Sequence, residues 1–506
     1  MRVLFVTSEA YPLAKTGGLG DVSRALPAAL QQLGVDVRIL MPGYPGALKQ
    51  IANPYVAARL GPAFGVVDGL LIGGRFPDCP LRVWLAVSPS LFDRTGGLYQ
   101  DGEGHDWPDN ALRFAFLSNV AAEIALGRAG PVWRPDVVHA NDWHTGVLPM
   151  LLAAAPQPRP RTVFTTHNMA FQGNFAREAL AALPERIRNA PEIEFYGRAS
   201  LLKAGLKFAD RVTTVSPTYA REILSPEFGF GMEGLLQERG AAFCGILNGI
   251  DDELWNPATD PHLPQNYRPS DVSGKRVCKR MLQQELGLPP TADKTPLIGF
   301  VSRLTEQKMA DTVLEVLPWI ALRGAQLAVI GEGDRSIESG LVEAARRHPG
   351  QVSVTIGYNE ALAHRLQAGS DILLSPARFE PCGLTQLYAL RYGTLPVVRR
   401  TGGLADTVID SNPKSIVERT ATGFVFDEAT RRGLTEALGR ALNLYHEPLT
   451  WRRLQLQAMA QDFSWAASAK NYIALYRDLC EAASPPQAGE PETVEETEEI
   501  GRQIVG

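Results

Sequence analysis

Lys15-Thr16-Gly17-Gly18-Leu19-Gly20-Asp21 follows an apolar run, Val3 to Thr7, that reads as a buried parallel strand. It opens an apolar-periodic segment (Val22, Leu26, Ala29, Leu30, Leu33) that reads as an amphipathic helix. A glycine-rich turn between strand and helix leaves backbone N–H groups at the positive end of the helix dipole, so it suits an anionic group. Lys15 adds a mobile cation. A near copy, Arg400-Thr401-Gly402-Gly403-Leu404-Ala405-Asp406, returns after the strand-like Leu395 to Val398. Two such turns in two halves indicate two α/β domains facing one ligand. Gly17, Gly18 and Gly20 do not fit G-x-G-x-x-G, which argues against a dinucleotide oxidoreductase.

A chain of 506 residues is too long for one ordinary core, and two or three domains are expected. With 45% hydrophobic and 21% charged residues the composition is that of a soluble globular protein. The formal charge is -5, but the stretch from Ser484 holds six glutamates and one arginine. The rest carries 49 basic and 49 acidic residues, and this neutral body argues against a broad nucleic-acid footprint. The five cysteines (Cys79, Cys244, Cys278, Cys382, Cys480) are scattered, with no C-x-x-C, which disfavours a disulfide framework or cysteine-based zinc site. Met1 leads straight into a core strand, with no signal or transit segment, and no apolar run reaches the roughly 20 residues of a membrane helix. A cytoplasmic protein without membrane attachment is expected.

Strand-like and helix-like segments alternate. In the first half the strands are Val3–Thr7, Val35–Met41, Leu81–Val87, Asp136–Ala140, Thr162–Thr166, Val212–Val215 and Phe243–Leu247. Helices are expected over Leu19–Leu33, Asp109–Leu126, Gly146–Ala154, Ser200–Phe208 and Thr218–Leu224. Asn248 to Thr295 breaks the rhythm with prolines and polar residues, apart from a possible helix over Val272–Leu286, and marks a domain boundary. Strands resume at Leu297–Ser302, Gln326–Ile330, Val352–Ile356, Ile372–Ser375, Leu395–Val398 and Gly423–Phe426. Alternation of this kind predicts parallel sheets covered on both faces, with ligands outside the carboxyl ends of the strands. A late helix near Ser464–Ala482 follows, and the Pro- and Glu-rich stretch from Ser484 is expected to be disordered. The expected division is 1–247, 248–463, a helix at 464–483 and an acidic tail at 484–506.

The distinctive polar residues cluster at strand ends in both halves. His139-Ala140-Asn141-Asp142-Trp143-His144 ends one strand, and its spacing matches no standard zinc pattern. These residues read as hydrogen-bonded groups shaping a polar cleft. The next strand ends Thr165-Thr166-His167-Asn168, then Phe171-Gln172-Gly173. In the second half Arg303 and Lys308, in Ser302–Lys308, suit phosphate as a bidentate fork and a point charge. In Phe379-Glu380-Pro381-Cys382-Gly383-Leu384-Thr385, the last three residues can offer N–H groups to a diphosphate and Glu380 can accept from sugar hydroxyls. Tyr358 reads equally as a base-stacking ring or a core aromatic. Together these residues suit a diphosphate-linked sugar donor, whose departing nucleoside diphosphate cations and helix starts would stabilise.

Those residues also carry a resemblance. From Met1 to about Cys480 the chain resembles the bacterial glycogen synthase and plant starch synthase family, through Lys15–Asp21, His139–His144, Thr166–Gly173, Ile246–Asp251, Val301–Lys308, Glu380–Tyr388 and Arg399–Val408. The resemblance implies two Rossmann-like domains with a deep interdomain cleft (the B-type glycosyltransferase fold) and a C-terminal helix crossing back to the N-terminal domain. It implies transfer of glucose from ADP-glucose to the 4-OH at the non-reducing end of an α-1,4-glucan, with retention and without a metal or other cofactor. It further implies that Lys15, with Gly17, Gly18 and Asp21, contacts donor phosphate or sugar, and that Arg303 and Lys308 hold the diphosphate. Cys382, Gly383, Leu384 and Thr385 line the same site. Glu380, Asn248 and His167 address the glucose, Asp142 supports the site, and Tyr358 lies near adenine. For this fold a front-face displacement is favoured, which casts Glu380 as a positioning group rather than a nucleophile.

Two positions depart from or refine the pattern. Met309 stands where the family usually has glycine, which puts a side chain beside the expected diphosphate. Many glycosyltransferases of this fold carry a second glutamate eight residues after the first; here, as in glycogen and starch synthases, that position is a tyrosine, Tyr388, which favours glucan synthesis over lipid or small-molecule glycosylation. The rival readings are a UDP-glucose-dependent synthase and a catalytically silent glucan-binding subunit. The expected partners are ADP-glucose and α-glucan, with no nucleic acid and no membrane.

Overall fold

The computed structural model describes residues 1–130, 132–290 and 294–481, so the expected acidic tail and the last residues of the late helix lie outside the described residues. The first half forms a nine-stranded sheet in the order Phe243–Gly245, Arg211–Thr214, Arg161–Thr166, Val137–Asn141, Arg2–Val6, Asp36–Pro42, Arg82–Val87, Leu70–Arg75, Ala52–Arg59. The first seven strands are parallel, and the last two are added antiparallel. Val3, Leu4, Phe5 and Val6 are all fully buried, as a central parallel strand covered on both faces requires. Helix Gly18–Gln32 lays Val22, Leu26, Ala29 and Leu30 against the same core.

The antiparallel pair is the main element absent from the sequence reading. Ala52–Arg59 is an edge strand with mostly exposed side chains, so no buried alternation marks it. Its partner contains Gly73 and Gly74, which ordinarily weaken a strand. Here the Tyr55 ring covers Gly73 so closely that a Cβ there would run into it. A small sheet of Asn174–Phe175, Arg198–Ser200 and Glu194–Phe195 was likewise too short to read.

The second half forms a six-stranded, wholly parallel sheet in the order Val352–Ile356, Gln326–Gly331, Leu297–Val301, Ile372–Ser375, Leu395–Arg399, Phe424–Phe426. Its strand order reverses beside Leu297–Val301, and the first sheet reverses beside Arg2–Val6. These switch points are where doubly wound sheets open a crevice.

Two chain segments cross between the domains side by side. The Ile250 N–H donates to the Phe463 carbonyl at 2.8 Å, and Ser468 Oγ donates to the Leu247 carbonyl at 2.7 Å. Gly249 must lack a side chain, because a Cβ would stand 2.5 Å from the Trp465 nitrogen. Helix Trp465–Glu481 then returns to the first domain, where the Tyr476 hydroxyl meets His139 Nδ1 at 2.7 Å.

Candidate functional site

The carboxyl ends of the central strands place the site. After Arg2–Val6 the chain turns through Glu9, which the sequence reading missed. Its nearly buried carboxylate accepts from the Thr16 N–H at 2.5 Å and from Thr16 Oγ1 at 2.9 Å. Burial, only partly offset by those bonds, raises its pKa. The signal was present as an acid three residues beyond the end of a buried apolar strand. Glu9 thereby ties down the Lys15–Asp21 turn, while the space beside Gly17 and Gly18 stays open. Lys15 Nζ lies 2.7 Å from Asp21 Oδ1. Burial raises the Asp21 pKa against the lowering effect of Lys15.

At the end of Val137–Asn141, Asp142 adopts φ 56°, ψ 178°, a region that glycine favours. The strained backbone turns its carboxylate to accept the His167 N–H at 2.7 Å. Burial pushes the Asp142 pKa up to about 7. His167 Nε2 lies 3.0 Å from Asn141 Oδ1, and Asn141 Nδ2 donates to the Val6 carbonyl. Asn141 Oδ1 therefore accepts, His167 carries its proton on Nε2, and Nδ1 is left as an acceptor. Desolvation lowers the His167 pKa to about 3, so the ring is neutral at ordinary pH.

The two histidines of His139–His144 are structural. His139 is buried between Tyr476 and Thr165 Oγ1, the latter 2.6 Å from its Nε2. His144 is buried and stacks on Tyr99, with ring centroids 4.5 Å apart. Among the described residues no group of three or more His, Cys, Asp or Glu is placed to hold a metal ion.

Across the cleft, Lys308 forms an ion pair with Glu380, joining the loops that follow Leu297–Val301 and Ile372–Ser375. Arg303 is exposed, and its Nη2 donates to Gln307 Oε1 at 3.3 Å. Gln307 in turn donates to the Phe379 carbonyl at 3.3 Å. Both cations and Glu380 thus meet at the switch point of the second sheet. Gly383, at φ +74°, and Leu384 lead into helix Thr385–Arg391, whose start carries no side-chain cap. Cys382 is buried beneath them, and burial pushes its thiol up to about 12. Asn248 is buried, and its Oδ1 has no hydrogen-bond partner among the described residues. Tyr358 is 62% exposed, which favours a ligand-facing ring over a core one. The Asp21 charge from the other domain acts on it.

Two expectations are corrected by packing. Met309 is the left-handed residue that starts helix Ala310–Leu322, at φ 54°, ψ 30°, which explains the usual glycine. Its side chain is fully buried in the second core and does not crowd Lys308. The second glycine turn, unlike the first, is filled by protein groups. The Gly402 N–H donates to the Glu222 carboxylate at 3.0 Å, and a Cβ on Gly402 or Gly403 would run into the backbone of Glu380 or Cys382. Asp406 in turn accepts from Ser216 Oγ at 2.6 Å, Thr218 N at 2.9 Å and Thr218 Oγ1 at 2.6 Å. Each domain therefore supplies a carboxylate to the start of a short helix in the other.

The family model for the starch synthase catalytic domain matches residues 2–238, and that for glycosyl transferases group 1 matches residues 288–453. A glycogen synthase of Burkholderia thailandensis is 53% identical over 94% of this chain and 90% of its own. One of Paramagnetospirillum magneticum is 51% identical over 95% of this chain and 98% of its own. The catalytic domain of starch synthase IV from Arabidopsis thaliana, solved with ADP and acarbose, superposes with a TM-score of 0.84 at 32% identity, covering 95% of this chain and 99% of that one. A sucrose-phosphate synthase from Thermosynechococcus elongatus, at 18% identity and a TM-score of 0.58, shares the fold. No helix of the described residues is long and apolar enough to cross a membrane.

Proposed function

Because the chain belongs to the glycogen synthase and starch synthase family of glucosyltransferases, we propose that it lengthens α-1,4-glucan with glucose from ADP-glucose, releasing ADP. The observation that carries this reading is the meeting of Arg303, Lys308 and Glu380 at one switch point, opposite the open Lys15–Gly18 turn. A diphosphate needs cations and unfilled N–H groups, and both are concentrated there.

In this reading residues 1–247 form the acceptor side, 248–463 the nucleotide-sugar side, and the helix at 464–483 returns to the first domain. Arg303, Lys308 and the Gly383–Thr385 helix start hold the diphosphate, with Lys15 and the Gly17–Gly18 turn reaching it from across the cleft. Glu380 holds Lys308 until the donor arrives, then accepts from glucose hydroxyls. Asn248 Oδ1 and His167 Nδ1, both bare, take other sugar hydroxyls. Asp142 fixes His167, and Tyr358 stacks on the base. As the glucosyl C1–O bond to phosphate breaks, the acceptor O4 bonds C1 from the same face. The acceptor proton passes to the departing phosphate oxygen, so configuration is retained without a covalent enzyme intermediate. No metal or other cofactor enters, and the chain acts in the cytoplasm.

The test is ADP release from ADP-glucose with and without glycogen, in the wild type and Glu380→Ala. Glycogen-dependent release that the variant loses supports the transferase. Release from UDP-glucose alone would change the donor, and glycogen binding without turnover of either donor would sink the enzymatic reading.

A further inference from the structure

Glu222 ends helix Pro217–Glu222 of the first domain, yet its carboxylate binds the second. Oε1 accepts Thr401 Oγ1 and the Gly402 N–H, each at 3.0 Å, and Oε2 accepts the same N–H at 3.1 Å. The turn held in this way passes the contact on. The Gly403 N–H donates to the Glu380 carbonyl at 3.1 Å and to the Pro381 carbonyl at 3.2 Å. Gly402, at φ +43°, packs so closely on the Glu380 carbonyl that no side chain fits between them. Gly403 lies as closely on Cys382. Only the Thr401–Gly403 turn therefore separates the Glu222 carboxylate from the backbone that carries the Glu380 side chain.

Holding the two domains together does not account for this carboxylate. Asp406 already ties the start of the same helix to the second domain through three hydrogen bonds. Burial opposes the charge of Glu222, and the nearby Asp406 charge opposes it further, so its pKa is raised despite the bonds from Gly402 and Thr401. What the charge gains in that position is the pair of donors on the turn beneath Glu380. Glu380 in turn meets Lys308 at the switch point of the second sheet. We propose that Glu222 is a positioning residue for Glu380, clamping the Thr401–Gly403 turn from the opposite domain so that the Glu380 carboxylate is set toward the sugar only while the two domains are together. When they part, the Thr401 and Gly402 donors lose their acceptor and the turn loses its brace.

The inference rests on the donor reading above, in which Glu380 addresses the glucose and not the nucleotide. Calorimetric titration of the full chain with ADP and with ADP-glucose, without glucan, separates the two. Glu222→Ala is expected to weaken ADP-glucose about fivefold relative to ADP, the scale of one hydrogen bond, and to leave ADP affinity unchanged. Glu222→Asp, which keeps the charge but withdraws it by one methylene, shifts the ratio in the same direction. Glu222→Gln, whose amide oxygen still accepts the Gly402 N–H, retains most of the wild-type ratio. In a Glu380→Gln background, Glu222→Ala adds no further shift, because its effect passes through that side chain. An unchanged ratio in Glu222→Ala and Glu222→Asp, equal weakening of both ligands, or a full additional shift in the Glu380→Gln background overturns the proposal and leaves the donor reading standing. A wild type that binds neither ligand ends both.

Discussion

At the scale of single residues, conformation and burial set the roles. Lys308 carries charge at the switch point, so Lys308→Gln is expected to lower kcat/KM for ADP-glucose roughly a hundredfold, the worth of a charge-assisted contact to a leaving phosphate. Steady-state kinetics would show it, and an effect below about threefold would remove Lys308 from the diphosphate site. Met309 inverts the usual ranking of small substitutions. Alanine would lose the buried side chain and keep the left-handed strain, whereas glycine loses the side chain and relieves the strain. Met309→Gly should therefore be more stable than Met309→Ala by about 1 kcal/mol in urea denaturation. Asp142 has a folded pKa of about 7, above the ordinary carboxyl value, because burial opposes its charge. Over that window the folded chain holds a proton that the unfolded chain has lost, so this group's contribution to stability falls as pH rises. Asp142→Asn should remove that fall, seen as a changed difference in unfolding free energy between pH 5 and pH 7.

At the scale of elements, the paired helices Pro217–Glu222 and Gly402–Thr407 hold the domains against each other. Asp406 accepts three hydrogen bonds from the opposite domain, so Asp406→Ala leaves those donors without their acceptor. A stability loss of about 1–3 kcal/mol is expected, with the chain more extended in small-angle scattering. Unchanged scattering would show that the twin crossing segments alone fix the domain angle. The same pair teaches a lesson about legibility. Gly17-Gly18 and Gly402-Gly403 read alike in sequence, yet one is open and the other is filled by Glu222 and the Glu380–Cys382 backbone. Local spacing builds a helix start, but only the neighbouring chain decides whether anything remains for a ligand.

Across the whole molecule, acid stability should follow the buried histidines. His139 is held to a pKa of about 3 by burial, with the positive charge of a protonated His167 a smaller lowering effect, and burial takes His144 well below its ordinary value. Below the unfolded pKa of about 6.5, the unfolded chain binds protons that these folded rings refuse. Each such ring costs about 1.4 kcal/mol per pH unit, and together they outweigh the opposite slope of Asp142 between pH 4 and pH 6.5. Urea denaturation should weaken steadily below pH 6.5, and His139→Gln should make the slope shallower. A slope that His139→Gln leaves unchanged would contradict the assignment.

The sequence by itself determined the two parallel sheets, the strand-end motifs and the kinship with glucan synthases, because buried strands and glycine turns are local patterns. The edge strand Ala52–Arg59 escaped it, since its side chains are mostly exposed and its glycine partner is completed by a ring from across the hairpin. Tertiary structure alone decided that His139 anchors the returning helix, that Glu9 braces the Lys15 turn, and that Met309 points into the core. It also brought Trp255 between His364 and Tyr388. The His139 anchor and the Trp255 stack depend on contacts between segments far apart in the chain, and the Glu9 brace on a non-repeating loop closed over seven residues, none of which a local periodicity encodes.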